Sequence, residues 1–168
     1  TQKGENVGLL LPNSAGAVAT FFALQAYGRV PAMLNFSAGA KALCSACDTA
    51  KGKTVLTSKR FIELGRLDDV LEEIKNHAKI VYLEDIKEDI RLGDKMRGLF
   101  VNPKRLHAKQ NIKPNDPAIV LFTSGSEGLP KGVVLSHANI MSNIVQLSSR
   151  VDFNRQDIVF NCLPMFHS

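Results

Sequence analysis

Ten consecutive residues, Thr123-Ser124-Gly125-Ser126-Glu127-Gly128-Leu129-Pro130-Lys131-Gly132, hold three hydroxyls, three glycines and one lysine. Glycine lets a backbone come close to a ligand and turn its N–H groups toward it. Thr123, Ser124 and Ser126 add hydroxyl donors, and Lys131 adds a compact positive charge suited to a phosphate. The string is not a Walker A loop, because four positions after Gly125 come Leu129 and Pro130 rather than Gly-Lys-Ser/Thr. It is not Gly-x-Gly-x-x-Gly either, because position 127 is Glu. Two readings of the residues stand side by side: a cradle for a polyphosphate, or a plain surface turn in which Gly, Ser and Pro collect for backbone reasons.

The other chemistry-bearing residues are few. Cys44 and Cys47 form a Cys-x-x-Cys, but no second pair exists to complete a zinc site and Cys162 stands alone. Both fall inside a helical pattern, where a spacing of three puts them on one face, as core packing does. His167 sits in Leu163-Pro164-Met165-Phe166-His167-Ser168. His137 follows Ser136 at a helix start, where capping or packing explains it, and His77 and His107 fall in polar stretches that read as exposed.

These residues need elements to hold them. Short apolar runs at Val7–Leu11, Val30–Leu34, Thr54–Thr57, Lys79–Leu83, Ala118–Thr123, Val133–Leu135 and Ile158–Leu163 read as strands. Amphipathic stretches at Ala17–Tyr27, Ala38–Ala50, Lys59–Asn76, Lys87–Leu99 and His137–Ser149 read as helices, with Ser14, Ser58 and Ser136 as N-caps and Gly28 just past a C-terminus. The stretch after Leu99 reads as irregular and broken at Pro103. The alternation predicts an α/β fold: a mostly parallel sheet with helices on both faces. In such a sheet ligands bind outside the carboxyl ends of the strands, which is where residues 124–132 fall.

Composition sets the outer limits. The chain has 168 residues, 45% of them hydrophobic, which suits one globular domain and argues against disorder. No run of 18 apolar residues exists to span a bilayer. Three cysteines make no disulfide framework and suit a reducing, cytoplasmic setting. The net charge of +5 is unevenly spread: between Lys95 and Lys113 there are six basic residues and no acidic one. Such a run is a solvated surface, or a patch for an anionic membrane or an acidic protein. With no Trp, two Tyr and no nucleic-acid motif, a nucleic-acid partner is not expected.

The ten-residue string resembles the phosphate-binding signature of the AMP-forming acyl-adenylating superfamily, which holds acyl-CoA synthetases, peptide-synthetase adenylation domains and luciferases. Leu163-Pro164-Met165-Phe166-His167 is similar to a second segment of that family. Leu24-Gln25-Ala26-Tyr27-Gly28-Arg29-Val30-Pro31 is similar to a third, with Tyr27 where a small residue is usual. Phe122–Gly128, Pro31–Gly39 and Val81–Asp85 further resemble the synthetase half of bacterial bifunctional proteins. Those join an acyl-[acyl-carrier-protein] synthetase to a 2-acylglycerophosphoethanolamine acyltransferase.

The resemblance implies an ATP- and Mg²⁺-dependent ligase that activates a fatty acid as acyl-AMP and passes it to a thiol of acyl carrier protein or CoA. A lysophospholipid at the cytoplasmic face of the inner membrane is the further acceptor that the narrower resemblance implies. Thr123, Ser124, Gly125, Ser126, Glu127 and Gly128 would hold the phosphates with Lys131 as their cation, and His167 would line the acyl channel near the reacting carboxylate. Glu127 departs from the commoner Thr, so its backbone N–H is expected to matter more than its side chain. Residues 1–168 are expected to be one α/β piece of the family's N-terminal domain. The adenine-contacting motif, ribose-binding Asp, hinge and C-terminal Lys would lie beyond Ser168, so the piece alone is expected to be inactive. Rival readings are an amino-acid-activating adenylation domain and a non-catalytic α/β docking module.

Overall fold

The computed structural model describes residues 1–124 and 129–167, with the backbone alone at Ser124. Six strands form one sheet: β1 (Asn6–Leu9), β2 (Val30–Met33), β3 (Thr54–Thr57), β4 (Lys79–Tyr82), β5 (Pro117–Ser124) and β6 (Pro130–Ser136). Their order is β4-β3-β1-β2-β5-β6. Every pair is parallel except β5 with β6. The connection between β5 and β6 is too short for a crossover, so the last strand must return as a hairpin.

The helices follow the strands. α1 (Ala15–Ala26) begins at Ser14, whose Oγ accepts from the Ala17 N–H at 3.2 Å, and stops before Gly28, which takes φ +66°. α2 (Ala40–Ala50) packs on the other face of the sheet. The single helix expected over 59–76 is two: α3 (Lys59–Gly65), capped by Ser58, and α4 (Asp68–Ile74). Arg66 takes a left-handed φ of 51° between them, and Asp68 and Asp69 favour the new start through the helix dipole.

The segment from 83 to 109 also differs from expectation. It forms α5 (Leu83–Asp89), α6 (Leu92–Phe100) and α7 (Pro103–Lys109). Pro103 opens α7 rather than breaking a loop. It occupies the first turn, where its missing N–H costs nothing, and the Asn102 side chain caps the N–H groups of Lys104 and Arg105. α8 (His137–Ser148) starts at Ser136, which shares a capping box with Asn139. Ile158–Leu163 is not a strand. Ile158 is 97% and Phe160 87% exposed, and no neighbouring strand among the described residues pairs with their backbone.

Two apolar clusters cover the sheet. Alternate residues such as Val30, Ala32, Val120 and Phe122 meet Leu43, Cys47, Leu71 and Ile74 of α2 and α4. Their neighbours Val7, Leu9, Met33 and Leu121 meet Ala17 of α1 and, from the far end of the chain, Phe166. Gly8 in β1 lets β3 approach, because a Cβ there would lie 2.9 Å from Val55 Cγ2 and 3.1 Å from Leu34 Cδ1. Cys44 and Cys47 are buried in the first cluster, and burial pushes the Cys47 thiol up to about 12, which favours the protonated thiol at neutral pH.

Glu84, in the first turn of α5, ties the outer strand to α3. Its carboxylate accepts from Ser58 Oγ at 2.6 Å and from the Lys59 N–H at 3.0 Å. Desolvation alone would raise its pKa, but these bonds outweigh it and hold the group down to about 2. A carboxylate held below its unfolded value stabilises the fold above about pH 4.5 and loses that contribution as pH falls toward 2. Glu84→Gln should cost about 1 kcal/mol at pH 7 and nothing near pH 2, in chemical unfolding followed against pH. Gly8→Ala should cost about 1–3 kcal/mol by the same measurement, from overpacking.

Candidate functional site

Parallel pairing sends the ends of β1 to β5 to one edge of the sheet, and three segments of interest gather there. The first is the exit of β5. Thr123 pairs across the hairpin with Lys131, and Ser124 with Pro130. The connecting residues Gly125, Ser126, Glu127 and Gly128, and the Ser124 side chain, lie outside the described residues. The sheet therefore presents Thr123 and Lys131, which flank the Gly-rich residues in sequence, as direct neighbours.

The face they occupy follows from the pleat. Gly132 lies against α2: a Cβ there would meet Thr49 Cγ2 at 3.2 Å and Val120 Cγ1 at 3.5 Å. Successive side chains alternate, so Lys131 and its partner Thr123 take the opposite face, the one that carries Leu121 and Phe166. Lys131 is exposed and Thr123 half-buried. Gly132 thus lets β6 lie close to α2, where a Cβ would crowd Thr49.

The second segment is Leu163–His167. The Asn13 side chain, just past β1, grips it at two points: its Nδ2 donates to the Leu163 carbonyl at 2.6 Å, and its Oδ1 accepts from the Met165 N–H at 2.9 Å. Phe166 is buried against Phe36, with ring centroids 4.9 Å apart, and Phe36 stacks edge-on against Phe61 at 5.1 Å. His167 follows this anchor. Its side chain is exposed, and its backbone N–H returns to the Pro164 carbonyl at 3.0 Å. Sequence reasoning singled out His167 and missed Asn13. The signal was an Asn directly after a strand and a proline, a residue type that bonds backbone as a surrogate peptide.

The third segment is a cleft of about 580 Å³ at the same edge, with walls that include Pro12, Ser14, Ser58, Phe61 and Glu84. A second cleft, of about 540 Å³, lies between α1, α7 and α8 toward the amino end of β5, away from the turn. Its walls include His107 and His137, whose rings are 5.7 Å apart. His107 is half-buried rather than exposed, because its Nδ1 donates to the Gln25 carbonyl at 2.9 Å and fixes α7 on α1. Burial, with the neighbouring His107 second, lowers the pKa of His137. His77 is exposed as expected, and it pairs with Asp48. Among the described residues no group of three or more His, Cys, Asp or Glu side chains could hold a metal ion.

The profile described as "AMP-binding enzyme" matches residues 1–168. The chain belongs to the AMP-binding enzyme family. It is 27% identical to 4-coumarate–CoA ligase 4 of Arabidopsis thaliana over 98% of its own length and 30% of that protein. It is 24% identical to the putative acyl–CoA ligase YdaB of Bacillus subtilis over 99% of its length and 32% of that protein. It thus spans about a third of the curated relatives it matches. The N-terminal domain of FACL13 from Mycobacterium tuberculosis has the same fold. The TM-score is 0.75 at 23% identity, with 99% of this chain and 39% of that one covered.

Asn13 joins the Leu163–His167 segment to the end of β1 by hydrogen bonds that Asn13→Ala removes. We expect the Met165 amide to exchange with solvent about tenfold faster in that variant, with overall stability falling by less than about 1.5 kcal/mol. Unchanged exchange at Met165 would show that Phe166 alone holds the segment.

Proposed function

We propose that this AMP-binding segment supplies the phosphate-gripping edge of a fatty-acid-activating ligase, with ATP as a substrate. One observation carries the reading. Thr123 and Lys131 are cross-strand neighbours at the carboxyl end of β5, on the face that also bears the anchored Leu163–His167 segment. A lysine beside a glycine- and hydroxyl-rich turn suits the β- and γ-phosphates of ATP, and His167 would stand near the acyl carboxylate at the same edge.

In this reading the fatty-acid carboxylate attacks the α-phosphorus and pyrophosphate leaves, giving acyl-AMP. The protein's work is to align the two anions and neutralise charge, with little covalent chemistry of its own. Thr123, Ser124, Gly125, Ser126, Glu127 and Gly128 hold the triphosphate, Lys131 is its cation, and Mg²⁺ arrives bound to the nucleotide. His167 positions the carboxylate and need not act as a base, because a carboxylate is already ionised at neutral pH. The acyl group then passes to the thiol of CoA or acyl carrier protein. In a bifunctional relative of the narrower kind it would continue to a lysophospholipid. The names of the relatives, acyl- and coumarate–CoA ligases, support an acid–thiol ligase.

The test is ATP–pyrophosphate exchange by the full-length protein, with fatty acids as substrates and amino acids as controls. We expect exchange with fatty acids only, and a loss of about 10²-fold or more in Lys131→Ala, the scale seen when one preorganised charge partner is removed. Exchange with amino acids alone would assign the protein to amino-acid activation. Exchange with neither would remove the ligase reading.

A further inference from the structure

Between β4 and β5, α6 and α7 present a surface that is both apolar and basic. At about 100° per residue, Leu92, Met96, Leu99 and Phe100 of α6 fall on one arc roughly 100° wide. They are 76%, 51%, 77% and 83% exposed, and no residue of α6 is buried. Lys95 and Arg97 flank the arc on either side. The one acid of α6, Asp94, lies on the opposite side, where its carboxylate accepts from the Arg91 N–H at 3.1 Å and closes the first turn.

From Lys95 to Lys113 no acidic residue interrupts the basic run. Lys104, Arg105 and Lys109 stand exposed on α7, and the His107 bond to Gln25 fixes that helix to α1. A basic helix thus follows an amphipathic one whose apolar side no described residue buries.

We infer that α6 and α7 form a docking surface for an anionic lipid bilayer. α6 lies in the plane of the interface with Leu92, Met96, Leu99 and Phe100 among the upper acyl chains, while Lys95, Arg97, Lys104 and Arg105 meet anionic headgroups. The basic run is complementary to a negative surface. The apolar arc selects the lipid over an acidic protein, which would answer the charges and leave four large side chains unmatched. This surface does not depend on the ligase reading and can fail separately from it.

The test is co-sedimentation of the intact protein with phosphatidylcholine vesicles, with and without about 30 mol% phosphatidylglycerol. We expect binding to the anionic vesicles at least about tenfold tighter than to the neutral ones, weakened by about 0.5 M salt. The double variants Leu99→Ser/Phe100→Ser and Lys104→Glu/Arg105→Glu should each lose at least about tenfold in vesicle binding. Because all four positions are exposed, circular dichroism of both should match the parent. No vesicle binding, or equal binding by the parent and both variants, overturns the proposal. So does a loss confined to the charge-reversed variant, which would mean headgroup attraction without insertion. Binding of an acidic carrier protein in place of vesicles, lost on charge reversal, would reassign the patch to a protein partner.

Discussion

Parallel pairing of β1 with both β2 and β3 is the constraint on which the rest of this structure depends. A central parallel strand is buried on both faces, so Val7, Leu9 and Leu10 carry the load and Gly8 permits the close approach of β3. Once those strands point the same way, their exits share one edge. The Asn13 clamp, the Ser58 cap with Glu84, the Phe36 ring and the end of β5 are neighbours for that reason. The candidate site is a consequence of strand direction before it is a consequence of any side chain.

The edge is held by hydrogen bonds from side chains to backbone, with little contribution from ion pairs. Asn13 substitutes for a strand partner to Leu163 and Met165. Thr57, fully buried, donates to the Leu10 carbonyl at 2.8 Å. Glu84 receives the first N–H groups of α3, as a helix N-terminus favours. The salt bridges, such as Lys59 with Asp85 and Lys75 with Glu72, lie on the surface, where water screens them and their contribution is small. Directional bonds fix the geometry of this edge more closely than screened surface charges could.

β6 departs from the parallel pattern for a geometric reason that also serves the site. A hairpin return sets Lys131 beside Thr123, whereas a crossover helix would carry it elsewhere. Gly132 then keeps the strand close to Thr49 of α2, so the lysine is directed to the other face.

Much was legible in the chain by itself. The strand and helix alternation, three serine N-caps, Gly28 past α1 and the packing role of Cys44 and Cys47 follow from local rules that need only neighbouring residues. The ten-residue string from Thr123 to Gly132 pointed to the family. Tertiary structure decided what local rules do not reach. It split 59–76 at Arg66, where the chain turns to pack α4 on α2, and it made Pro103 a helix start through Asn102. Among the described residues it left Ile158–Leu163 without a partner strand, because an apolar run becomes a strand only when another backbone answers its N–H and C=O groups. It also chose the face of Lys131 and brought Asn13 to Met165 across 152 positions of sequence. Those are long-range pairings, and only the packed sheet supplies the distances that determine them.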